Sequence, residues 1–228
     1  MSKADAMAIM LRALRLPSVQ REYANLAQRA CSQNWSHERY LKILLELEMS
    51  ERAERRTERL LKRSGLPEGK TLGSFDEKLL PLKVRRQIPV LSEGGFVERC
   101  ENVLAFGLPG CGKTHLLAAI ARELIVQKGY EVLFTSAHRL VERLLVAKRN
   151  LEIESLLKKL DRFEVVMIDD IGYVQQNREE MEVLFTLLAE RYERGSVLLT
   201  SNLPFSKWES IFKDPMTTAA AIDRLVHH

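Results

Sequence analysis

The stretch Val-Leu-Ala-Phe-Gly-Leu-Pro-Gly-Cys-Gly-Lys-Thr-His at residues 103–115 leaves a chain few ways to fold. Residues 103–106 are an apolar run that reads as a buried strand, and residues 116–125 continue as an apolar helix. Between them, residues 107–114 satisfy G-x-x-x-x-G-K-[ST] at every fixed position, in the strand–loop–helix setting that the pattern requires. The glycines let consecutive backbone N–H groups turn inward around phosphate oxygens, where a Cβ would obstruct them. The helix N-terminus adds partial positive charge. Contacts to a nucleotide are therefore expected from Gly107, Leu108, Pro109, Gly110, Cys111, Gly112, Lys113, Thr114 and His115. Lys113 would reach the β- and γ-phosphates, and the Thr114 hydroxyl would ligate Mg²⁺.

From residue 102 on, strands and helices alternate, which predicts an α/β domain with a mainly parallel sheet. Strands are expected at 103–106, 132–135, 163–169 and 197–201. Helices are expected at 113–128, 137–148, 151–161, 178–194, 206–212 and 217–226. The apolar strand 163–169 runs into Asp169-Asp170. A P-loop enzyme needs an acid on an adjacent strand to hold Mg²⁺ through water and one acid to orient the attacking water. Asp169 fits the first role and Asp170 the second. Asn202 follows the strand at 197–201, where its amide can meet the γ-phosphate or the water; as a turn residue before Pro204 it also has an ordinary reading. Arg224, taken alone, is an exposed arginine beside Asp223. A guanidinium supplied by a neighbouring subunit is, however, a common device in phosphoryl transfer. His227 and His228 read as an unremarkable chain end.

The N-terminal part has a different character. Helices are expected at 4–16, at 18–31 and from Ser36, as N-cap, to about Ser64, with Pro17 between the first two and Gly65 after the third. Tyr40, Leu41, Leu44, Leu45 and Leu47 give the third helix a packing face. Beyond Ser50, Arg52, Arg55, Arg56, Arg59 and Arg63 recur at steps of three and four, with Lys62 at the edge of the same face. Two readings stand side by side: a helix laid along nucleic-acid phosphates, or a solvated helix braced by pairs such as Glu51–Arg55 and Glu58–Lys62. Residues 1–80 hold 15 Lys and Arg against 11 Asp and Glu, whereas residues 81–228 hold 20 of each, so the whole net charge of +4 belongs to the first part. Residues 67–81, with Pro67 and nearby glycines, read as a linker in which Phe75, Leu79 and Leu80 dock onto the next domain; residues 82–91 read as a short helix interrupted by Pro89.

The remaining features exclude rather than assign. No apolar stretch approaches the ~20 residues needed to span a bilayer, and Met-Ser-Lys-Ala-Asp does not start a secretory signal. Cys31, Cys100 and Cys111 lack metal or disulfide spacing, so a reducing cytoplasm without zinc is expected; Cys111 is a variable loop position.

The set Gly-Leu-Pro-Gly-Cys-Gly-Lys-Thr-His, Val-Val-Met-Ile-Asp-Asp-Ile-Gly-Tyr, Thr-Ser-Asn-Leu-Pro and Ala-Ile-Asp-Arg-Leu-Val-His-His resembles the IstB-like helper ATPases of bacterial insertion sequences, relatives of the DnaC-type helicase loaders. Leu-Leu-Glu-Leu-Glu followed by arginines, and Lys70-Thr71-Leu72 with Phe75-Asp76, are similar to that family's N-terminal part. The resemblance covers nearly the whole chain. It implies an AAA+ ATPase domain behind a small all-α domain: residues 1–66 helical, 67–81 linking, 82–228 ATPase. Residues 107–114 would be Walker A, Asp169 and Asp170 Walker B, Asn202 sensor 1, and Arg224 the arginine finger reaching the next protomer's nucleotide. It further implies an ATP-dependent homo-oligomer on duplex DNA, a cognate transposase as partner, and DNA contact through Arg52, Arg55, Arg56, Arg59, Lys62 and Arg63.

Two departures matter. Many AAA+ proteins have Glu where this chain has Asp170, one methylene shorter, so slow hydrolysis is expected. No residue matches the sensor 2 arginine with which the family continues beyond Arg224. The competing expectations are a helicase loader acting on single strands, a scaffold holding ATP without turnover, and a small-molecule kinase, for which no lid or acceptor pocket is visible.

Overall fold

The computed structural model describes residues 3–76, 78, 80–173, 178–212 and 214–226. The chain divides into a unit spanning Met1–Arg59 and one spanning Leu60–His228. Leu79, His227 and His228 lie outside the described residues.

The first unit contains α1 (Lys3–Ala13), α2 (Pro17–Ser32) and most of α3 (His37–Ser64). Pro17 starts α2 at its first position, where its missing N–H costs nothing. Ser36 Oγ accepts from the Arg39 N–H at 3.2 Å, as expected of an N-cap. Leu11, Val19, Leu26 and Leu44 form a small core, with Tyr23, Trp35 and Tyr40 packed on it. The start of α2 has no cap of its own. Instead Glu48, buried on α3, accepts the Ser18 and Val19 N–H groups at 2.9 and 3.3 Å. A carboxylate from another helix thus satisfies two donors that α2 leaves open.

In the second unit, α4 (Leu82–Ser92) carries Pro89 inside it, and α5 (Gly95–Glu98) leads into β1 (Val103–Phe106). There follow α6 (Lys113–Glu123), continued by a π-turn over Leu124–Lys128, then β2 (Val132–Ser136), α7 (Ala137–Arg149) and α8 (Ile153–Leu160). β3 (Val165–Asp169), α9 (Arg178–Arg191), β4 (Ser196–Ser201), α10 (Glu209–Phe212) and α11 (Pro215–Val226) complete it. The four strands are parallel in the order β1-β4-β3-β2. The expectation that the Asp169 strand adjoins the P-loop strand is corrected: β4 lies between them.

The strands bury both faces, so their residues alternate between two cores. Val165, Met167 and Leu198 face α6, with Ile88, Phe96, Leu117, Ile120 and Leu124. Val166, Ile168, Val197 and Leu199 face α7, α9 and α11, with Leu140, Leu144, Leu184 and Trp208. Residues 67–81, expected as a linker, belong to the second unit: Leu72, Phe75 and Leu80 pack against the α6-side core beside buried Leu66.

Arg191 is buried without a carboxylate in its hydrogen-bond set. Its guanidinium donates to the carbonyls of Leu160, Phe163, Glu164 and Ser196 at 3.0–3.2 Å. Burial pulls its pKa down to about 10, and the four carbonyls tie the end of α8 to the starts of β3 and β4. Among the described residues no helix is long and apolar enough to cross a membrane.

Candidate functional site: a phosphate pocket at the strand ends

Parallel pairing brings the C-terminal ends of β1, β4 and β3 to one rim, the place where open α/β sheets bind ligands. Phe106 is in register with Ser201, and the Gly107 N–H donates to Ser201 O at 3.2 Å. The P-loop leaves β1 there. Gly110 and Gly112 sit at φ +81° and +88°, in the left-handed region that a side chain resists. Gly112 then starts α6, whose first turn has no side-chain cap and no acid. Its open N–H groups and positive dipole end are a ready anion site.

A cavity of about 310 Å³ opens on this turn, lined by Lys70, Pro109, Gly110, Gly112, Lys113, Thr114, His115, Asp170 and Asn202. Lys113 Nζ donates to Gly107 O and Leu108 O at 2.8 and 2.9 Å, so its ammonium is held at the loop. The Thr114 hydroxyl donates to Asp169 Oδ1 at 2.8 Å. The same oxygen accepts from Thr200 Oγ1 at 2.7 Å, and Thr200 Oγ1 accepts the Asp170 N–H at 2.8 Å. The intervening strand β4 is therefore what connects the two acids to the P-loop. Thr200 is absent from the expected set because a threonine in a buried strand reads as an ordinary β-former.

Asp170 has φ +58°, a conformation that costs free energy in a residue other than glycine and that clusters at functional sites. Burial, and then the charge of Asp169, raise its carboxyl above the usual range, while Lys113 and Lys70 pull it back. Asn202 approaches Gly172 so closely that a methyl there would collide with its Oδ1. That Oδ1 is buried and has no hydrogen-bond partner among the described residues. Phosphate oxygens only accept, so an orphaned amide oxygen here calls for an O–H donor such as water.

The residues fit the groups expected of them. The uncapped α6 terminus and the glycine cradle suit phosphate. Among the described residues no cluster of three or more His, Cys, Asp or Glu side chains could hold a metal alone. The Thr114 and Asp169 oxygens instead suit Mg²⁺, which takes few protein ligands and completes its shell with phosphate oxygens and water. Beside the P-loop, a second cavity of about 450 Å³ has mainly apolar walls, including Leu80, Val84, Ile88 and Leu116.

Arg224 stands apart from this pocket. Its guanidinium lies 4.7 Å over the Phe185 ring and donates to Ala220 O at 2.9 Å. The arginine face of α3 is partly engaged within its own unit. Arg52 donates to Glu48 at 2.9 Å and to Arg15 O, and Arg55 donates to Ser18 Oγ at 3.1 Å. Burial would raise the Glu48 carboxyl, but the Arg52 contact and the Val19 and Ser18 N–H groups outweigh it and hold the carboxyl below the usual range. Arg55 Nε bonds the Glu51 backbone carbonyl, whereas the Glu51 carboxylate takes Arg21 and Ser18. Arg59 bonds Arg55 O, and Arg63, which itself belongs to the second unit, pairs with Glu131 of that unit at 3.3 Å. Lys62 is exposed. Arg15, Arg52, Arg55, Arg56 and Arg59, with Glu48 and Glu58, line an open concavity of about 750 Å³ in the first unit.

The P-loop, the strand-end acids and the parallel order β1-β4-β3-β2 define a P-loop fold of the AAA+ type. The solved DnaC helicase loader has the same fold, with a TM-score of 0.59 and 18% identity over 69% of this chain and 94% of that one. The chain belongs to the family of IstB-like ATP binding proteins, whose profile it matches over residues 9–228. It is 44% identical to an insertion sequence ATP-binding protein of Sinorhizobium fredii, over 96% of this chain and 74% of the relative. It is 37% identical to the IS21 ATP-binding protein of Pseudomonas aeruginosa, over 96% and 83%.

Proposed function

We propose that the chain is an ATP-hydrolysing assembly factor of DNA transposition, which oligomerises on duplex DNA and recruits or stimulates the transposase of its insertion sequence. The observation that carries this reading is the convergence of Lys113, Thr114, Asp169, Asp170 and Asn202 on one rim, in a family whose relatives are named insertion sequence ATP-binding proteins.

In this reading Lys113 exchanges the carbonyls of Gly107 and Leu108 for phosphate oxygens, and the α6 N–H groups hold the phosphate chain. The apolar cavity beside the loop suits a purine. Thr114 and Asp169 hold Mg²⁺, which supplies Lewis-acid neutralisation of phosphate charge. Asn202 Oδ1 and Asp170 position the water that attacks the γ-phosphorus; Asp170 accepts its proton as the bond to the β-phosphate oxygen breaks. A carboxyl with a raised pKa is suited to that transfer, and its short side chain keeps it slow. Arg224, leaving Phe185, offers its guanidinium to the nucleotide of a neighbouring protomer. Bound ATP then favours the oligomer. The oligomer in turn repeats the basic concavity along one duplex, multiplying weak phosphate contacts. Arg15, adjacent to Arg52 in that concavity, joins Arg55, Arg56, Arg59, Lys62 and Arg63 as the proposed DNA contacts.

Sedimentation of the full chain with a labelled duplex tests this. Wild type with ATP is expected to form large DNA-bound species, and Lys113→Ala to leave the duplex free. Equal assembly by both would refute the ATP dependence.

A further inference from the structure

Residues 69–76, a turn-rich stretch of the segment expected as a linker, lie against the P-loop and the first turn of α6. His115 Nε2 stands 3.2 Å from Thr71 O and 3.1 Å from Ser74 Oγ. A carbonyl can only accept, so Nε2 carries the proton and shares it between the two. The Phe75 ring meets the His115 ring edge-on at 5.1 Å, and it packs so close to Gly112 that a Cβ there would lie 3.0 Å from the ring. Ser74 Oγ closes the strap on itself, donating to Gly69 O at 2.7 Å and accepting the Thr71 N–H at 3.1 Å. Lys70 lies within this closed turn, and it lines the phosphate cavity together with Lys113, Asp170 and Asn202. Among the described residues no carboxylate forms an ion pair with it. A half-buried lysine that makes no ion pair among the described residues, at the wall of a cavity built for phosphate, is placed to receive an anion.

We propose that Lys70 is a second phosphate-binding cation, carried by the 69–76 strap, which selects nucleoside triphosphates over diphosphates. This rests on the nucleotide reading above and adds to it a residue outside the P-loop motif. The selectivity follows from position. The P-loop N–H groups surround the inner phosphates and Lys113 bridges the β- and γ-phosphates, whereas Lys70 shares its part of the cavity with Asp170 and Asn202, the groups assigned to the terminal phosphorus. A diphosphate has no charge there for Lys70 to meet. A bound triphosphate therefore pins the strap through Lys70 on one side, while His115 and Phe75 hold it on the other.

The test is titration calorimetry of the full chain with Mg²⁺, using the β,γ-methylene analogue of ATP and ADP, on wild type, Lys70→Ala and Lys70→Arg. Hydrogen exchange is followed over residues 69–76. Lys70→Ala is expected to weaken the triphosphate analogue about tenfold or more and ADP less than twofold. Lys70→Arg, which keeps the charge, should retain most of the preference. The analogue should slow exchange in the strap of wild type but not of Lys70→Ala. Equal losses for both nucleotides, or no loss, overturn the proposal while leaving the nucleotide reading intact. Wild type binding neither nucleotide would overturn both.

Discussion

Thr200 Oγ1 donates to Asp169 Oδ1 at 2.7 Å, on the oxygen that Thr114 also reaches, and so fixes the orientation of the carboxylate expected to face Mg²⁺. Partners of this kind behind a metal ligand commonly account for about 10–100-fold in metal affinity or activity. Thr200→Val keeps the shape of β4 but removes both this donor and the acceptor of the Asp170 N–H. The expected outcome is a fall in turnover and in apparent Mg²⁺ affinity within that range. Stability should fall by about 1–2 kcal/mol for the stranded N–H. Mg²⁺-dependent turnover and a thermal melt measure the two effects.

Asp170 combines a left-handed backbone with a carboxyl raised by burial and by Asp169. Asn tolerates the same backbone, so Asp170→Asn should fold normally and bind ATP while losing turnover by about 10²–10⁴-fold. The base must be ionised to take a proton. Wild-type turnover should therefore decline as pH falls through a pKa above that of an ordinary Asp. Single-turnover rates across pH, with nucleotide affinity measured alongside, test both statements.

How much of this was legible in the chain follows from particular residues. The P-loop declares itself because Gly107, Gly112, Lys113 and Thr114 perform their chemistry within eight positions. The strands and helices declare themselves through their apolar periods, and Ser36 and Pro17 through their capping chemistry. Strand order does not, since no local pattern says that β4 inserts between β1 and β3. Thr200 was hidden by that order. Lys70 stands out in the sequence only through the family resemblance, because Gly69, Thr71, Gly73 and Ser74 have loop composition and the packing of Phe75 on Gly112 is a long-range event. The arginines of α3 show the opposite limit. Their spacing is plain, but that Arg52 serves Glu48 and Arg55 serves Ser18 depends on the start of α2, some thirty residues away in sequence.

Glu48 is the acid-sensitive point of the first unit. Its burial alone would raise its pKa, but Arg52 and the Val19 and Ser18 N–H groups lower it below the ordinary value. A lowered carboxyl stabilises the fold at pH values above its unfolded pKa, and that contribution is lost as pH falls through the folded one. Glu48→Gln should weaken the first unit by about 1–3 kcal/mol at neutral pH. It should also flatten the unit's acid unfolding transition. Far-ultraviolet circular dichroism over pH 2–7 (about the range in which carboxyls titrate) reads this directly.

Arg224 is parked on Phe185 and Ala220 O rather than in the pocket of its own chain. Arg224→Ala should therefore leave nucleotide affinity of the dilute protein within about twofold, while lowering turnover in the assembled state by about 10³-fold or more. Mixing it with Lys113→Ala chains should restore part of the turnover, because each partner would supply what the other lacks. Absence of any such rescue would argue against a role in trans.

The most direct test of the account is binding to labelled duplex and single-stranded DNA with ATP, with ADP and without nucleotide, over a salt series. The account predicts cooperative binding to duplex that requires ATP and weakens steeply as salt rises, the mark of released counterions. It also predicts that replacing Arg56 and Arg59 by Gln lowers the salt slope. Binding that ignores the nucleotide, or that is confined to single strands as a helicase loader would show, would contradict it.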